Sequence, residues 1–188
     1  SGKEVFVKSA TYSLHTDAFG AATQSAYEMR EKTFQVIRES TAECSKNGWK
    51  ISFLSFSAAM HSLMAVDDKG EPISPVFTWG DRQAEPYLAD LKDEVSPSLY
   101  HNTGTPLHPM TPFVKLYGLK RTSHEMMQKA HKFIGMKSFI LYQFFGVYVT
   151  DYSIANATGL WNMHTLSWDK EALKIVGISE NKLPKLVP

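Results

Sequence analysis

Three short polar clusters hold the residues of this chain whose types are best suited to chemistry. Residues 57–62 end in Met-His-Ser, residues 78–82 read Thr-Trp-Gly-Asp-Arg, and residues 107–112 read Leu-His-Pro-Met-Thr-Pro. Each cluster stands at the end of a predicted strand or at the start of a predicted helix. Ligands bind at such positions in α/β folds, so all three clusters are candidate binding segments.

A structural interpretation of the same residues is equally open. His61 could be a satisfied buried imidazole and Trp79 a core residue. Asp81 and Arg82 could be a helix-start acid and a solvated base. Single residues do not decide between binding and packing, so the order and combination of the clusters must.

Other site chemistries find little support in the sequence. Seven histidines invite a metal site, but they lack the short paired spacing that places two imidazoles on one helical face. No Gly-x-Ser-x-Gly elbow occurs, and Cys44 lies in a predicted helix, where a packing role is favoured. The two common glycine-rich phosphate loops are missing as well, so any nucleotide must be held in another way. We therefore predict no metal site and set hydrolases aside.

Composition and charge limit the classes of protein to which the chain could belong. The chain has 188 residues, of which 43% are hydrophobic and 21% charged, the ordinary mixture of a globular domain. A formal net charge of +1 favours neither nucleic acid nor an anionic membrane as partner. A single cysteine excludes an internal disulfide framework. With no signal-peptide pattern at residues 1–4 and no apolar run of membrane-spanning length, we expect a cytoplasmic protein.

The elements that must position the clusters begin with an α/β unit. Residues 5–14 carry apolar side chains on a period near two, which is typical of a half-buried strand. Ser25 opens a capping box, and helical spacing then continues for about five turns until Gly48. Residues 49–56 are apolar on both faces, as in a strand covered by helices. Strand, helix and strand are therefore expected in succession.

A hairpin and a helical second half are expected next. Residues 63–66 and 76–78 are predicted strands, and the turn residues 67–70 follow the first of them. Beyond residue 82 helical signals dominate. Residues 84–95 have amphipathic spacing, and Thr111 is a predicted N-cap before Pro112. The apolar run over 139–145 is stopped by Gly146, and Ser167 is the predicted N-cap of a last helix that ends at Gly177.

The clusters and strands occur in a characteristic order. A buried strand leads to Ser-x-x-Met-His-Ser at 57–62, then to an apolar strand, an Asp and Gly turn, and a Trp-x-Asp-Arg element at 79–82. Phe-Val-Lys-Leu at 113–116, a Thr-Asp-x-Ser-x-Ala-x-x-Thr-like stretch within 149–158 and a final Leu-Pro follow. In this ordered set the chain resembles the FGGY family of carbohydrate kinases, which includes kinases for gluconate, xylulose and glycerol.

One departure from the family pattern concerns the second cluster. The family commonly has one residue between the Asp of its tryptophan element and the following Arg, whereas here Arg82 follows Asp81 directly. The partner of Arg82 is therefore left open.

The resemblance implies a fold and an activity. The fold would be α/β: the first domain of an actin-like, or ribonuclease-H-like, sugar kinase, incomplete and with a helical second half. The intact enzyme would transfer the γ-phosphoryl group of ATP, with Mg²⁺, to a hydroxyl of a sugar or sugar acid. Carried over residue by residue, the resemblance implies that the sugar is contacted by Met60, His61, Trp79, Asp81 and Met110.

The resemblance also implies which parts lie elsewhere. Residues 1–188 would be most of the N-terminal sugar-binding domain. The first phosphate hairpin of the family, its catalytic Asp, expected beyond Pro188, and its C-terminal nucleotide domain have no match in this chain. We therefore assign no catalytic residue here and expect the chain alone to be inactive.

Within the family, Met60-His61-Ser62, the 108–112 segment and Phe-Ile-Gly-Met-Lys at 133–137 look most like gluconate kinases. The predicted reaction is therefore gluconate to 6-phosphogluconate. A xylulose or glycerol kinase, a noncatalytic sugar-binding module, and an unrelated α/β domain whose clusters are core packing are the alternatives. The expected partner is a small-molecule sugar or sugar acid, with no nucleic acid and no membrane, and a homodimer is left open.

Overall fold

A computed structural model describes residues 2–188 of the chain as a mixture of helices and short strands. The helices are α1 (Ala26–Lys46), α2 (Leu88–Glu94), α3 (Pro97–Thr103), α4 (Pro112–Thr122), α5 (His124–Lys129), α6 (Met136–Phe145), α7 (Tyr152–Asn156) and α8 (Lys170–Val176), with 3₁₀ helices at Glu85–Tyr87 and Glu180–Lys182.

The strands form small sheets rather than one large one. They are β1 (His15–Thr16), β2 (Ala22–Gln24), β3 (Met64–Val66), β4 (Val76–Phe77), β5 (Lys132–Ile134), β6 (Val149–Asp151), β7 (Trp161–Asn162), β8 (Ser167–Trp168) and β9 (Lys185–Val187). β1, β2 and β4 pair antiparallel in that order, as do β3 with β5 and β7 with β8, while β6 and β9 pair parallel. The second half is thus helical, as expected, but contains strands as well.

The predicted hairpin is present in an irregular form. The backbone of Leu63 and that of Phe77 exchange two hydrogen bonds, of 3.0 and 2.8 Å, and Val66 faces Pro72 in a second antiparallel bridge. Between these bridges the ladder is irregular. The Ala65 carbonyl accepts from the Ile73 N–H at 2.9 Å, but the Ala65 N–H donates to the side chain of Ser74 at 2.8 Å, and Pro75 has no N–H to donate. β3 and β4 therefore take their regular partners elsewhere, in β5 and β2.

Helix α1 begins and ends close to where the sequence predicts. The Ser25 hydroxyl accepts a hydrogen bond from the backbone N–H of Glu28 at 3.3 Å, which satisfies one of the free N–H groups of the first turn. The carboxylate of Glu28 turns away and accepts from the backbone of Ser13 at 3.2 Å, so the capping box is only half formed. Gly48 follows the helix with a positive φ of 67°.

Two other helix predictions are confirmed and one cap is wrong. Thr111 caps α4 ahead of Pro112, and Gly146 ends α6 in the left-handed conformation. The last helix does end at Gly177, but Asp169, not Ser167, is its N-cap. Ser167 belongs to strand β8, whereas the Asp169 carboxylate accepts from two backbone N–H groups at 3.0 Å.

The two strands predicted around α1 are not formed. Residues 3–14 and 49–56 run without regular structure and expose apolar side chains, among them Phe53 at 82%. A strand is stable only where a neighbouring strand completes its ladder, and neither segment is paired over the range 2–188. The α/β unit predicted there is therefore wrong in its strands and right in its helix.

The buried core has two parts. The larger packs α4 against α8, with Leu116 and Val176 among its fully buried side chains, and the smaller packs α6 on β3 and β5. Gly118 lets α4 come close to the segment around Ala84, because a Cβ on this glycine would lie 2.8 Å from the Cβ of Ala84. None of the helices within residues 2–188 has both the length and the apolar character needed to cross a bilayer.

Candidate functional site

A cavity of about 500 Å³ contains two of the predicted site residues. Met60 lines it from the first cluster and Trp79 from the second, together with Gln24 and Thr78. Trp79 is 64% exposed, so its indole presents a free apolar face instead of packing in the core. A cavity of this size with one aromatic wall suits a small ligand.

A second, smaller cavity of about 370 Å³ is lined by Asp81 and Lys115, with Gln83 and Tyr87. Residues 78–80 line the first cavity, while Asp81 lines the second. The second cluster is therefore divided between the two cavities, and the division falls between Gly80 and Asp81.

Asp81 is engaged by its own chain. Its side chain is 2% exposed, and its carboxylate accepts from the backbone N–H of Ala22 at 3.0 Å and from the side-chain amide of Gln83 at 2.8 Å. These bonds fix the turn after β4 to the strand β2. The contact of Asp81 with a sugar stays a prediction.

His61 adopts a backbone conformation that few residues other than glycine take. Its φ is 66°, and its ring Nδ1 lies 2.7 Å from the carbonyl oxygen of Ala157. Since a carbonyl only accepts, Nδ1 must carry the proton of this hydrogen bond. Burial lowers the pKa of His61 below its usual 6.5, with a smaller opposing effect from the Ala157 bond. The neutral ring then has Nε2 free to accept a hydrogen bond, for example from a hydroxyl.

Lys115 joins the first cluster to the third. Its ammonium donates to the carbonyl of Met110 and to that of His61, the latter at 3.4 Å. Burial lowers the pKa of Lys115 to about 8, and the Asp81 carboxylate opposes that effect. The loops that carry Met60, His61 and Met110 therefore meet at one ammonium.

No role for Lys115 was predicted from the sequence, although a signal was available. Lys115 stands in the run Pro-Phe-Val-Lys-Leu-Tyr over 112–117, the one charged side chain among apolar neighbours. A lysine in such a run is forced into the core whichever way the helix turns, and a buried lysine needs acceptors.

Arg82 and Asp151 have structural partners. Arg82 forms an exposed ion pair with Glu85 three residues on, and its guanidinium does not line either cavity. Arg82 is therefore a solvent-exposed base, as the structural interpretation expected. Asp151 caps α7 by accepting from Ile154 at 3.1 Å and pairs with Lys137 at 2.7 Å.

The site as a whole is fitted to binding. Met60 and Trp79 bring apolar surface into the first cavity, whereas His61 and Met110 line neither cavity and are joined to each other through Lys115. An apolar wall beside a few polar groups is the kind of lining that recognises a polyhydroxy compound. In the part of the chain that the structure describes, no three His, Cys, Asp or Glu side chains converge as a metal site would require.

The fold is that of the first domain of a carbohydrate kinase. Residues 1–188 match the FGGY family of carbohydrate kinases, N-terminal domain, and the chain belongs to this family.

Individual relatives agree with the family. The chain is 41% identical over its whole length to a gluconokinase of Bacillus subtilis (strain 168), of which it covers 36%. Solved structures of a gluconate kinase and of a ligand-bound xylulose kinase, both from Lactobacillus acidophilus, each superpose on 95% of the chain with a TM-score of 0.88 at 34% identity. The predicted fold class, the first domain of an actin-like sugar kinase, is confirmed. The chain spans 36% of the length of these relatives.

Proposed function

We propose that the protein containing this chain is an ATP-dependent kinase of gluconate, which it converts to 6-phosphogluconate. The observation that carries this proposal is the 41% identity to a gluconokinase over the whole chain, which includes all three clusters. The meeting of the 57–62 and 107–112 loops at Lys115 supports it, because residues from distant segments must converge to form a sugar site.

Within this proposal the chain supplies the sugar site. Trp79 and Met60 would form the apolar wall against the carbon skeleton, and Nε2 of His61 would accept from a hydroxyl. Met110 would close the site from the third cluster. Asp81 would contribute through Oδ1, because the Ala22 N–H and the Gln83 side-chain amide both donate to Oδ2, whereas Oδ1 accepts a bond of 3.4 Å from the Gln83 N–H. A polar group left without its partner costs about 1–3 kcal/mol, which is how such a site rejects the wrong sugar.

We assign the phosphoryl-transfer parts of the protein to segments outside this chain. ATP, and Mg²⁺ with it, would be bound there, together with the base that accepts the hydroxyl proton. The assignment is supported by the missing phosphate-loop motifs and by the share of the relatives that the chain covers. We further propose that the protein works in the cytoplasm on a small molecule, with a homodimer as an open arrangement.

A steady-state comparison on the full-length protein tests the substrate. ADP release is followed by a coupled assay with gluconate, xylulose or glycerol as acceptor, and we expect the largest kcat/KM for gluconate. A larger value for xylulose would favour the second candidate, which the 34% identity to a xylulose kinase structure supports. No turnover with any of the three, together with calorimetric binding of gluconate, would identify a noncatalytic sugar-binding module.

A further inference from the structure

Lys115 is an unusual residue for its position. It lies in the first half of α4 with its side chain 3% exposed, and no carboxylate of the described chain comes within ion-pair distance of its ammonium. Burying an ammonium without a charged partner is costly unless its donors are used. The residue is therefore held by the groups to which it donates.

Those groups belong to the two loops of the candidate site. One acceptor is the carbonyl of Met110, five residues before Lys115, and the other is the carbonyl of His61, 54 residues before it. The same amino group thus links a loop next to its own helix with a loop that is distant in sequence. Loss of the ammonium would leave both carbonyls without this donor.

The bond to His61 acts where the backbone is strained. A left-handed conformation costs a residue with a side chain roughly 1–2 kcal/mol, so it persists only where its surroundings hold it. At His61 the ring is held by Ala157 and the carbonyl by Lys115. The orientation of this peptide group determines where the imidazole points.

We propose that Lys115 is a positioning residue of the sugar site, which fixes His61 and Met110 relative to each other without touching the sugar. The inference rests on the proposed function, since it concerns the same site. The charged and titratable groups around the ammonium are the Asp81 carboxylate and the His61 imidazole, and His108 acts on His61. Because the pKa of Lys115 is about 8, the amino group is mostly protonated at neutral pH and all three of its hydrogens are available.

The test compares two lysines of one helix in the full-length protein. Lys115→Met removes the ammonium and keeps an apolar chain of similar length. Lys120→Met is the matched control, because Lys120 also lies in α4 and donates to a backbone carbonyl, that of Ile175 at 2.7 Å, but lines neither cavity. Gluconate KM, ATP KM, kcat and thermal unfolding are measured for each.

We expect Lys115→Met to raise the gluconate KM about tenfold or more, because small misplacements of binding groups are costly, and to leave the ATP KM within about twofold. Lys120→Met should leave both constants unchanged. A merely structural role would lower thermal stability or kcat without separating the two substrates. A gluconate KM for folded Lys115→Met within about twofold of the wild-type value would overturn the proposal.

If Lys115→Met does not fold, Lys115→Gln is measured in its place under the same criterion. The glutamine amide still donates to one carbonyl but carries no charge. A wild-type protein without gluconate kinase activity overturns the proposed function and this inference with it. A wild-type protein that is active, with unchanged gluconate KM in the variant, overturns this inference alone.

Discussion

At the scale of single residues, burial decides the chemical character of the candidate site. Asp81 and Lys115 are nearly inaccessible and use their polar groups on the chain itself, whereas Trp79 is open to solvent. His61 lies between these extremes, with one ring nitrogen used and the other free. The exposed indole of Trp79 and the free Nε2 of His61 are therefore the groups that can still contact a ligand.

The exposed indole of Trp79 gives a direct prediction. Trp79→Ala should change the free energy of unfolding by less than about 0.5 kcal/mol, because an exposed side chain contributes little to stability. It should raise the gluconate KM about tenfold, equivalent to about 1.4 kcal/mol of lost binding. Steady-state kinetics and denaturant unfolding measure the two effects. Tyr100→Ala, a similarly exposed aromatic at 57% that does not line the first cavity, is the control and should change neither.

The pKa of His61 predicts a pH dependence of stability. Since burial lowers this pKa below 6.5, the unfolded chain binds more protons than the folded one over the interval between the two values. Stability from this residue is therefore present above pH 6.5 and is lost as the pH falls through the folded pKa. Urea unfolding at pH 7.5 and 5.5 should show a larger loss for the wild type than for His61→Asn, whose side chain tolerates a positive φ. Equal losses in the two proteins would contradict the burial argument.

At the scale of elements, local signals placed most of the predicted helix ends correctly, but only two of the four predicted strands, those at 63–66 and 76–78, are formed. Ser25, Thr111 and Gly146 mark helix ends in the sequence and do so in the structure, because a cap acts within three or four residues. Residues 5–14 and 49–56 have the patterns of strands, but a strand depends on a partner that its own residues do not specify.

The corrected cap of α8 can be tested with a built-in control. Asp169→Ala should lower the free energy of unfolding by about 1–2 kcal/mol, because the carboxylate caps two N–H groups and also accepts from Asn162 at 2.8 Å. Ser167→Ala, at the position that the sequence suggested, should cost less than about 0.5 kcal/mol. Denaturant unfolding of both variants measures the difference. Equal losses in the free energy of unfolding would contradict the assignment of Asp169 as the N-cap.

At the scale of the whole molecule, the candidate site has the features of a binding surface. Trp79 is exposed, and Lys115 joins the first and third clusters by donating to a backbone carbonyl of each. This arrangement agrees with a chain that spans 36% of its relatives.

We predict that the 188-residue chain alone has no measurable gluconate-dependent ADP release, while the full-length protein does. Phosphoryl transfer needs the phosphates held, Mg²⁺ placed and the hydroxyl proton accepted, and each missing part costs orders of magnitude in rate. A coupled assay on both proteins, with the folding of the chain checked by circular dichroism, makes the comparison. Turnover by the chain within about tenfold of the full-length rate would require a base and a phosphate site among these residues.

The sequence alone determined the family and the helix ends at Ser25, Thr111 and Gly146, because motifs and caps lie in neighbouring residues. Through its motifs it also predicted Met60, His61, Trp79, Asp81 and Met110 as sugar contacts, which stay predictions. Only the tertiary structure decided that Trp79 and Asp81 line different cavities and that Lys115 ties His61 to Met110. These outcomes depend on contacts between residues as many as 54 positions apart, and no local pattern of residue types specifies which distant backbone group a buried ammonium will reach.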